Sequence, residues 1–152
     1  MEKIEAVSIT VEGRGASHAP SPGCSSPSMP TGNLVPLLYE IRHALKRWLD
    51  DGQTHVIDLR TIPMSPDEER RLLEVLGDGE VRAGLAALGS SDVTETGFPG
   101  VWLVTHRNHD DVLVGRFIEV CQIPEILKSQ AEDAAAALQR LDDLLANAET
   151  TV

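Results

Sequence analysis

Val101-Trp-Leu-Val-Thr-His106, Arg107-Asn-His-Asp-Asp111 and Val112-Leu-Val-Gly-Arg-Phe-Ile-Glu-Val-Cys-Gln122 follow one another without a break. The first and third segments are rich in β-branched and aromatic residues, and the five residues between them are polar turn formers. Together they read as two strands of an antiparallel hairpin. Gly115, inside the second strand, marks a bulge or a close backbone approach. Toward the N-terminus the same pattern repeats. Gly97-Phe-Pro-Gly100 separates the hairpin from a shorter strand, Asp92 to Thr96, and Glu80 to Leu88 places Val81, Ala83, Leu85 and Ala87 on one face. The middle of the chain is therefore expected to be an antiparallel meander.

Helical signals flank it. Leu34, Leu37, Leu38, Ile41, Leu45, Trp48 and Leu49 recur at the spacing of one buried stripe, which predicts a helix from about Leu34 to Asp50. Asn33 is its expected N-cap and Gly52 its stop. His55-Val-Ile-Asp-Leu59 reads as a short strand. In Ser65-Pro-Asp-Glu68 serine caps, proline takes the first helical position and glutamate completes a capping box, with Leu72, Leu73 and Leu76 as the apolar face and Gly77 as the end. After Pro124 a long helix is expected over residues 125–147. Leu127, Ala131, Ala134, Leu138, Leu141 and Leu145 form a heptad-like seam that is expected to pack on the sheet, with pairing into a homodimer as the alternative. Before all of this, Ile4 to Val11 reads as a strand. Residues 12–33, rich in Gly, Ser and Pro, read as a flexible loop. The expected fold is α+β, a single domain over residues 1–152, with a mainly antiparallel sheet of about five to six strands and two to three packing helices.

Charge removes several function classes. The chain has 13 Lys and Arg against 24 Asp and Glu, a net charge of −11, which is unsuited to the phosphate backbone of nucleic acid. Aromatic residues at 3% leave almost no stacking platform for bases. No apolar run approaches the roughly 18 residues of a membrane-spanning helix, and Met1-Glu-Lys-Ile-Glu lacks the basic and apolar regions of a signal peptide. Cys24 and Cys121 lie far apart and form no paired motif. A cytoplasmic protein with reduced thiols is expected, with no membrane insertion.

Chemistry-bearing patterns are sparse. No nucleophile elbow, phosphate loop, dinucleotide fingerprint or His-Glu-x-x-His is present, and no enzyme activity and no cofactor are expected. His106, His109, Asp110 and Asp111 have the residue types of a metal site, but the same residues are favoured in a solvated turn, and zinc requires three or four convergent ligands. A metal or iron–sulfur-cluster handling role using Cys24, together with His18 or with His106 and His109, stands as the alternative reading. Glu80, Glu95 and Glu119 fall on successive strands, which offers a pair of carboxylates as a candidate acid–base site, although solvated or arginine-paired carboxylates are the more common outcome. Glu95, Thr96, Phe98, Pro99, Gly100 and Trp102 combine a strand end, a Pro-Gly break and two of the few aromatics. That is the make-up of an interface anchor, and equally of a core plug in an aromatic-poor domain.

Five blocks occur in order: Glu40-Ile-Arg-His-Ala-Leu45, Val56-Ile-Asp-Leu-Arg60, Leu76-Gly-Asp-Gly-Glu-Val81, Thr94-Glu-Thr-Gly-Phe-Pro-Gly-Val-Trp102, and Phe117-Ile-Glu-Val120 with Pro124-Glu-Ile-Leu-Lys128. This series resembles the conserved C-terminal domain of the HupH/HyaF family of nickel–iron hydrogenase expression and formation proteins. The resemblance spans residues 34–129. It implies a non-enzymatic, chaperone-like accessory protein for hydrogenase maturation that binds the iron–sulfur small-subunit precursor, alongside a thioredoxin-like accessory protein. Leu103 stands where many relatives are expected to carry arginine, and longer members carry sequence beyond this domain. The acidic surface would suit a basic partner such as a precursor with a twin-arginine signal peptide, with Glu119 and Glu95 contributing the charge.

Overall fold

The Ser65 hydroxyl accepts a hydrogen bond from the Glu68 backbone N–H (3.3 Å), and the Glu68 carboxylate accepts one from the Ser65 N–H (2.9 Å). With Pro66 in the first turn, this reciprocal capping box starts α2 (Pro66–Leu76) where the Ser-Pro-Asp-Glu spacing predicts it. Glu68 does more than cap. Its carboxylate also accepts from the Thr31 N–H (3.0 Å), the Thr31 hydroxyl (2.9 Å) and the Gly32 N–H (2.7 Å), which fastens the chain entering α1 (Leu34–Asp51) to the start of α2. The computed structural model describes residues 29–87 and 89–150. The expected strand at Ile4–Val11, most of the 12–33 stretch and Leu88 lie outside the described residues.

Leu37, Ile41 and Ala44 are the buried stripe of α1, and Leu34, Leu38, Leu45 and Trp48 pack beside them. Leu49 does not join them: one residue past Trp48 is about 100° further round the helix, and the side chain faces solvent. At the far end Gly52 takes a left-handed conformation (φ 73°) and donates to the Trp48 carbonyl. Asn33 does not cap α1 through its side chain. Its Nδ2 donates instead to the Pro63 carbonyl at 2.7 Å, a second tie between the start of α1 and the approach to α2.

Five antiparallel strands follow: β1 (His55–Asp58), β2 (Arg82–Ala87), β3 (Gly89–Glu95), β4 (Val101–Arg107) and β5 (Leu113–Val120), in the spatial order β1-β5-β4-β3-β2. The β2-to-β5 run is the expected meander. β1 stops one residue before the predicted end because the Asp58 carboxylate accepts the Arg60 N–H and opens a single 3₁₀ turn over Leu59–Thr61. Between β4 and β5 the register changes from His106 opposite Gly115 to Arg107 opposite Leu113, so Val114 is the extra residue of a bulge. The intervening turn is held by Asn108, whose side chain accepts from the N–H groups of Asp110 and Val112.

Alternation sorts the strands into two faces. Ile57, Val101, Ile118 and Val120 meet Leu37, Ile41, Ala44, Leu72 and Leu76 of α1 and α2 to form the larger core. Each Val, Leu or Ile among them is worth ~1.5–3 kcal/mol when fully buried. The opposite face carries no α-helix among the described residues. Its own cluster is Val93, Trp102, Val104 and Cys121, with Ala83, Leu85, Phe117 and Leu127 against it.

The C-terminal helix departs from expectation. Pro124 is followed by one 3₁₀ turn (Glu125–Leu127), Lys128 is extended, and α3 starts only at Ala131 (Ala131–Thr150). The extended residue interrupts the phase of the seam, so that Leu127 alone reaches the sheet. Leu138, Leu141 and Leu145 are more than half exposed. The alanine-rich sequence sustains the helix by intrinsic propensity, without the packing that the heptad spacing suggested. No helix among the described residues is long and apolar enough to cross a membrane.

The ties to Glu68 make a prediction. Hydrogen bonds from Ser65, Thr31 and Gly32 outweigh desolvation and lower its carboxyl from an ordinary 4.5 to about 2. A depressed carboxyl stabilises the fold above its unfolded value and loses that contribution as pH falls from about 4.5 to about 2. Glu68→Gln is expected to lower the neutral-pH melting temperature by at least ~5 °C and to flatten the loss of stability across that acid range. Thermal melts from pH 7 to pH 2 check both.

Candidate functional site

Antiparallel pairing places Val56 opposite Glu119, Glu119 opposite Trp102, and Trp102 opposite Glu95. Directly paired residues project to the same side, so these four form one row across four strands on the helix-free face. The sequence reading named three of them separately; the sheet makes them neighbours. Trp102 is buried at the centre (4% exposed) and its indole N–H donates to the Cys121 carbonyl at 3.1 Å. Glu95 and Glu119 flank it, two strand spacings or ~10 Å apart along the sheet. They are not a shared-proton carboxylate pair. The Glu119 carboxyl is pushed above the usual carboxylate range by desolvation, with a smaller push from Glu125 and an opposing pull from His106.

At one end of this row the β3–β4 turn is pinned on every side. The Thr96 hydroxyl accepts from the Phe98 N–H at 3.2 Å, and Thr96 N–H donates to the Val101 carbonyl. Gly97 N–H donates to the Leu76 carbonyl at the end of α2, and the Gly100 carbonyl accepts from Cys121 at the end of β5. Gly100 has φ +83° and lies against the indole of Trp48. A Cβ at this position would stand 2.9 Å from Trp48 Cζ3, so both the conformation and the close approach require glycine. The result divides the predicted set. Thr96, Gly100 and Trp102 are buried and build the turn, whereas Phe98 (47% exposed) and Pro99 stand out from it.

A cavity of about 330 Å³ opens beside the turn, between the end of α1, the start of β1 and the end of β5. Trp48, His55, Val56, Glu119, Cys121 and Lys128 are among its walls. Sequence reasoning assigned Trp48 only to the stripe of α1. No linear spacing links residue 48 to residues 119 and 121, and only the β1–β5 pairing with the Gly100 contact brings them together. The Cys121 thiol is raised to about 11, chiefly by burial and then by Glu119, so it remains protonated and is a packing group.

The histidines do not converge. His106 lies on β4 rather than in the turn. Its Nδ1 is 2.8 Å from the Ser91 hydroxyl, and its ring is tilted against Phe117. His109 is exposed at the turn beside Asp110. Among the described residues no three His, Cys, Asp or Glu side chains are grouped so as to hold a metal ion; Cys24 and His18 lie outside them.

Comparison with known proteins gives a consistent picture. The family described as HupH hydrogenase expression protein, C-terminal conserved region, matches residues 32–148. Over 128 residues the chain is 33% identical to the hydrogenase expression/formation protein HupH of Rhizobium leguminosarum bv. viciae, covering 84% of this chain and 43% of that protein. It is 30% identical over 115 residues to the hydrogenase-1 operon protein HyaF of Escherichia coli K12, covering 74% and 39%. A solved structure, the hydrogenase expression protein HupH from Thiobacillus denitrificans, matches with a TM-score of 0.75 at 41% identity, covering 78% of this chain and 98% of that one. The chain thus spans about two fifths of the length of the curated relatives it matches.

Gly100→Ala is expected to destabilise the domain by ~1–3 kcal/mol, from a strained left-handed alanine and from displacement of Trp48. Urea unfolding measures it; an unchanged midpoint would show that the turn tolerates a Cβ and that the Trp48 contact does not hold it.

Proposed function

The chain belongs to the family of the HupH hydrogenase expression protein C-terminal conserved region, and on that premise we propose that it is a non-catalytic accessory protein of nickel–iron hydrogenase maturation. In this reading it acts in the cytoplasm as a chaperone-like module that holds the precursor of the iron–sulfur small subunit. The observation that carries the reading is the β3–β4 turn. Thr96, Gly97 and Gly100 each anchor its backbone, and the turn lifts Phe98 and Pro99 into solvent on a rigid base. An exposed aromatic on a backbone held in one conformation loses little main-chain entropy on binding, which is a property of an interface anchor. Glu119 and Glu95 supply negative charge behind it, and the net charge of −11 favours encounter with a basic partner. Trp102 contributes from beneath, as the packed platform of the row.

Co-purification from hydrogenase-producing cells tests this. The wild-type chain is expected to recover the small-subunit precursor, less of it at high salt. Phe98→Ser is expected to reduce recovery by about tenfold or more while the melting temperature stays unchanged, as for a central anchor. Undiminished recovery by Phe98→Ser would remove the turn from the interface. Stoichiometric metal bound to the wild-type chain would move the function toward cluster handling.

A further inference from the structure

The Glu119 carboxylate has an unusual position among the charges of this domain. It lines the cavity beside the turn, half-buried, and no hydrogen bond or ion pair reaches it among the described residues. The nearby basic side chains make their direct bonds elsewhere, although the field of His106 reaches Glu119 as an opposing pull. Lys128 Nζ is 2.7 Å from Glu125 Oε2, His55 Nε2 is 3.2 Å from Glu40 Oε1, and His106 Nδ1 is bonded to Ser91. A partly desolvated carboxylate without a directly bonded counter-charge is costly to keep ionised, and a cation brought into contact from outside lowers that cost. Trp48 adds an aromatic wall, a surface on which guanidinium and ammonium groups stack.

The entrance specifies how such a cation would arrive. Thr54, His55 and Val56 form one rim of the cavity, and β1 is an edge strand, paired only with β5 among the described residues. An open strand edge recruits an extended peptide through main-chain hydrogen bonds. A residue added opposite Val56 would extend the row Val56–Glu119, placing its Cα two strand spacings, ~10 Å, from that of Glu119. Among cationic side chains only arginine and lysine carry their charge far enough over Val56 to meet the carboxylate. Exposed Val56 and Ile123 flank the path and suit apolar neighbours of that residue.

We infer that this cavity receives an arginine or lysine side chain from an extended segment of a protein partner that lies along the outer edge of β1. The inference rests on the accessory role proposed above and names the chemistry of the segment held. Free cations such as arginine itself share the charge but not the strand.

Calorimetric titration of the full chain with the capped peptide acetyl-Thr-Val-Arg-Val-Thr-amide tests it, with amide shifts followed by NMR. The expected result is binding that shifts the amides of Thr54 to Ile57 and the Trp48 indole. Replacing arginine by uncharged citrulline, or Glu119→Gln in the protein, is expected to weaken it about tenfold or more, as for a charge-assisted pair. Citrulline peptide binding as well as arginine peptide, or no binding at millimolar peptide, overturns the proposal, and the citrulline comparison needs no protein variant to fold. N-acetyl-arginine amide binding as tightly as the pentapeptide overturns the strand. Recovery of the small-subunit precursor by a chain that ignores the peptide would sink the cavity and leave the accessory role standing. Peptide binding by a chain that recovers no precursor would support the cavity and sink that role.

Discussion

The contact of the Trp48 indole with the backbone of Gly100 ties the two halves of this domain together. It joins the last turn of α1 to the β3–β4 turn, which no main-chain ladder connects to that helix. The approach is possible only because residue 100 lacks a side chain and can adopt φ +83°. Three consequences follow from one close approach. The turn is held at a fixed height above the sheet, with Phe98 and Pro99 outward. The Gly100 carbonyl is aimed at Cys121, which fixes the end of β5. One wall of the cavity next to Glu119 is built from the same indole. Rigidity and the proposed recognition thus meet at a single corner.

The layering of the domain assigns tasks to its faces. Helices cover one side of the sheet and bury the larger aliphatic cluster, and the Glu68 carboxylate locks them by holding the entry of α1 to the cap of α2. The other side is left to a smaller cluster around Trp102 and to a row in which apolar and acidic residues alternate. α3 is an acidic and alanine-rich helix whose leucines face solvent. The larger aliphatic core therefore resides in the α1–α2 layer, and the helix-free face with its adjoining corner is the surface proposed for a partner.

Much of the architecture was legible in the chain because local rules acted alone there. Ser65 to Glu68 form their capping box from four consecutive residues, and Asn108 makes its turn from its own side chain. Alternation sorts the residues of β4 and of β5 strand by strand, and only the pairing then puts Trp102 and Glu119 on the same face. What the sequence could not carry was register and phase. The row Val56–Glu119–Trp102–Glu95 depends on which residue of β1 stands opposite which of β5, and β1 lies more than fifty residues away. The α3 seam misled for a related reason: heptad spacing is read through any residue, but one extended residue at Lys128 breaks the physical helix without altering the spacing of leucines. Asn33 gave a capping residue type, yet its amide found the Pro63 carbonyl instead. The order of the five family-like blocks was the most informative signal for function, and the matching family spans residues 32–148, which contain all five blocks.

Hydrogen exchange on the chain with and without the small-subunit precursor tests most directly whether the corner at Trp48 and Gly100 is the working surface. Slowed exchange over Gly97 to Trp102 and Thr54 to Ile57, with α3 unchanged, is the predicted result. Protection confined to α3, with the turn and β1 exchanging as in the free protein, would contradict the account.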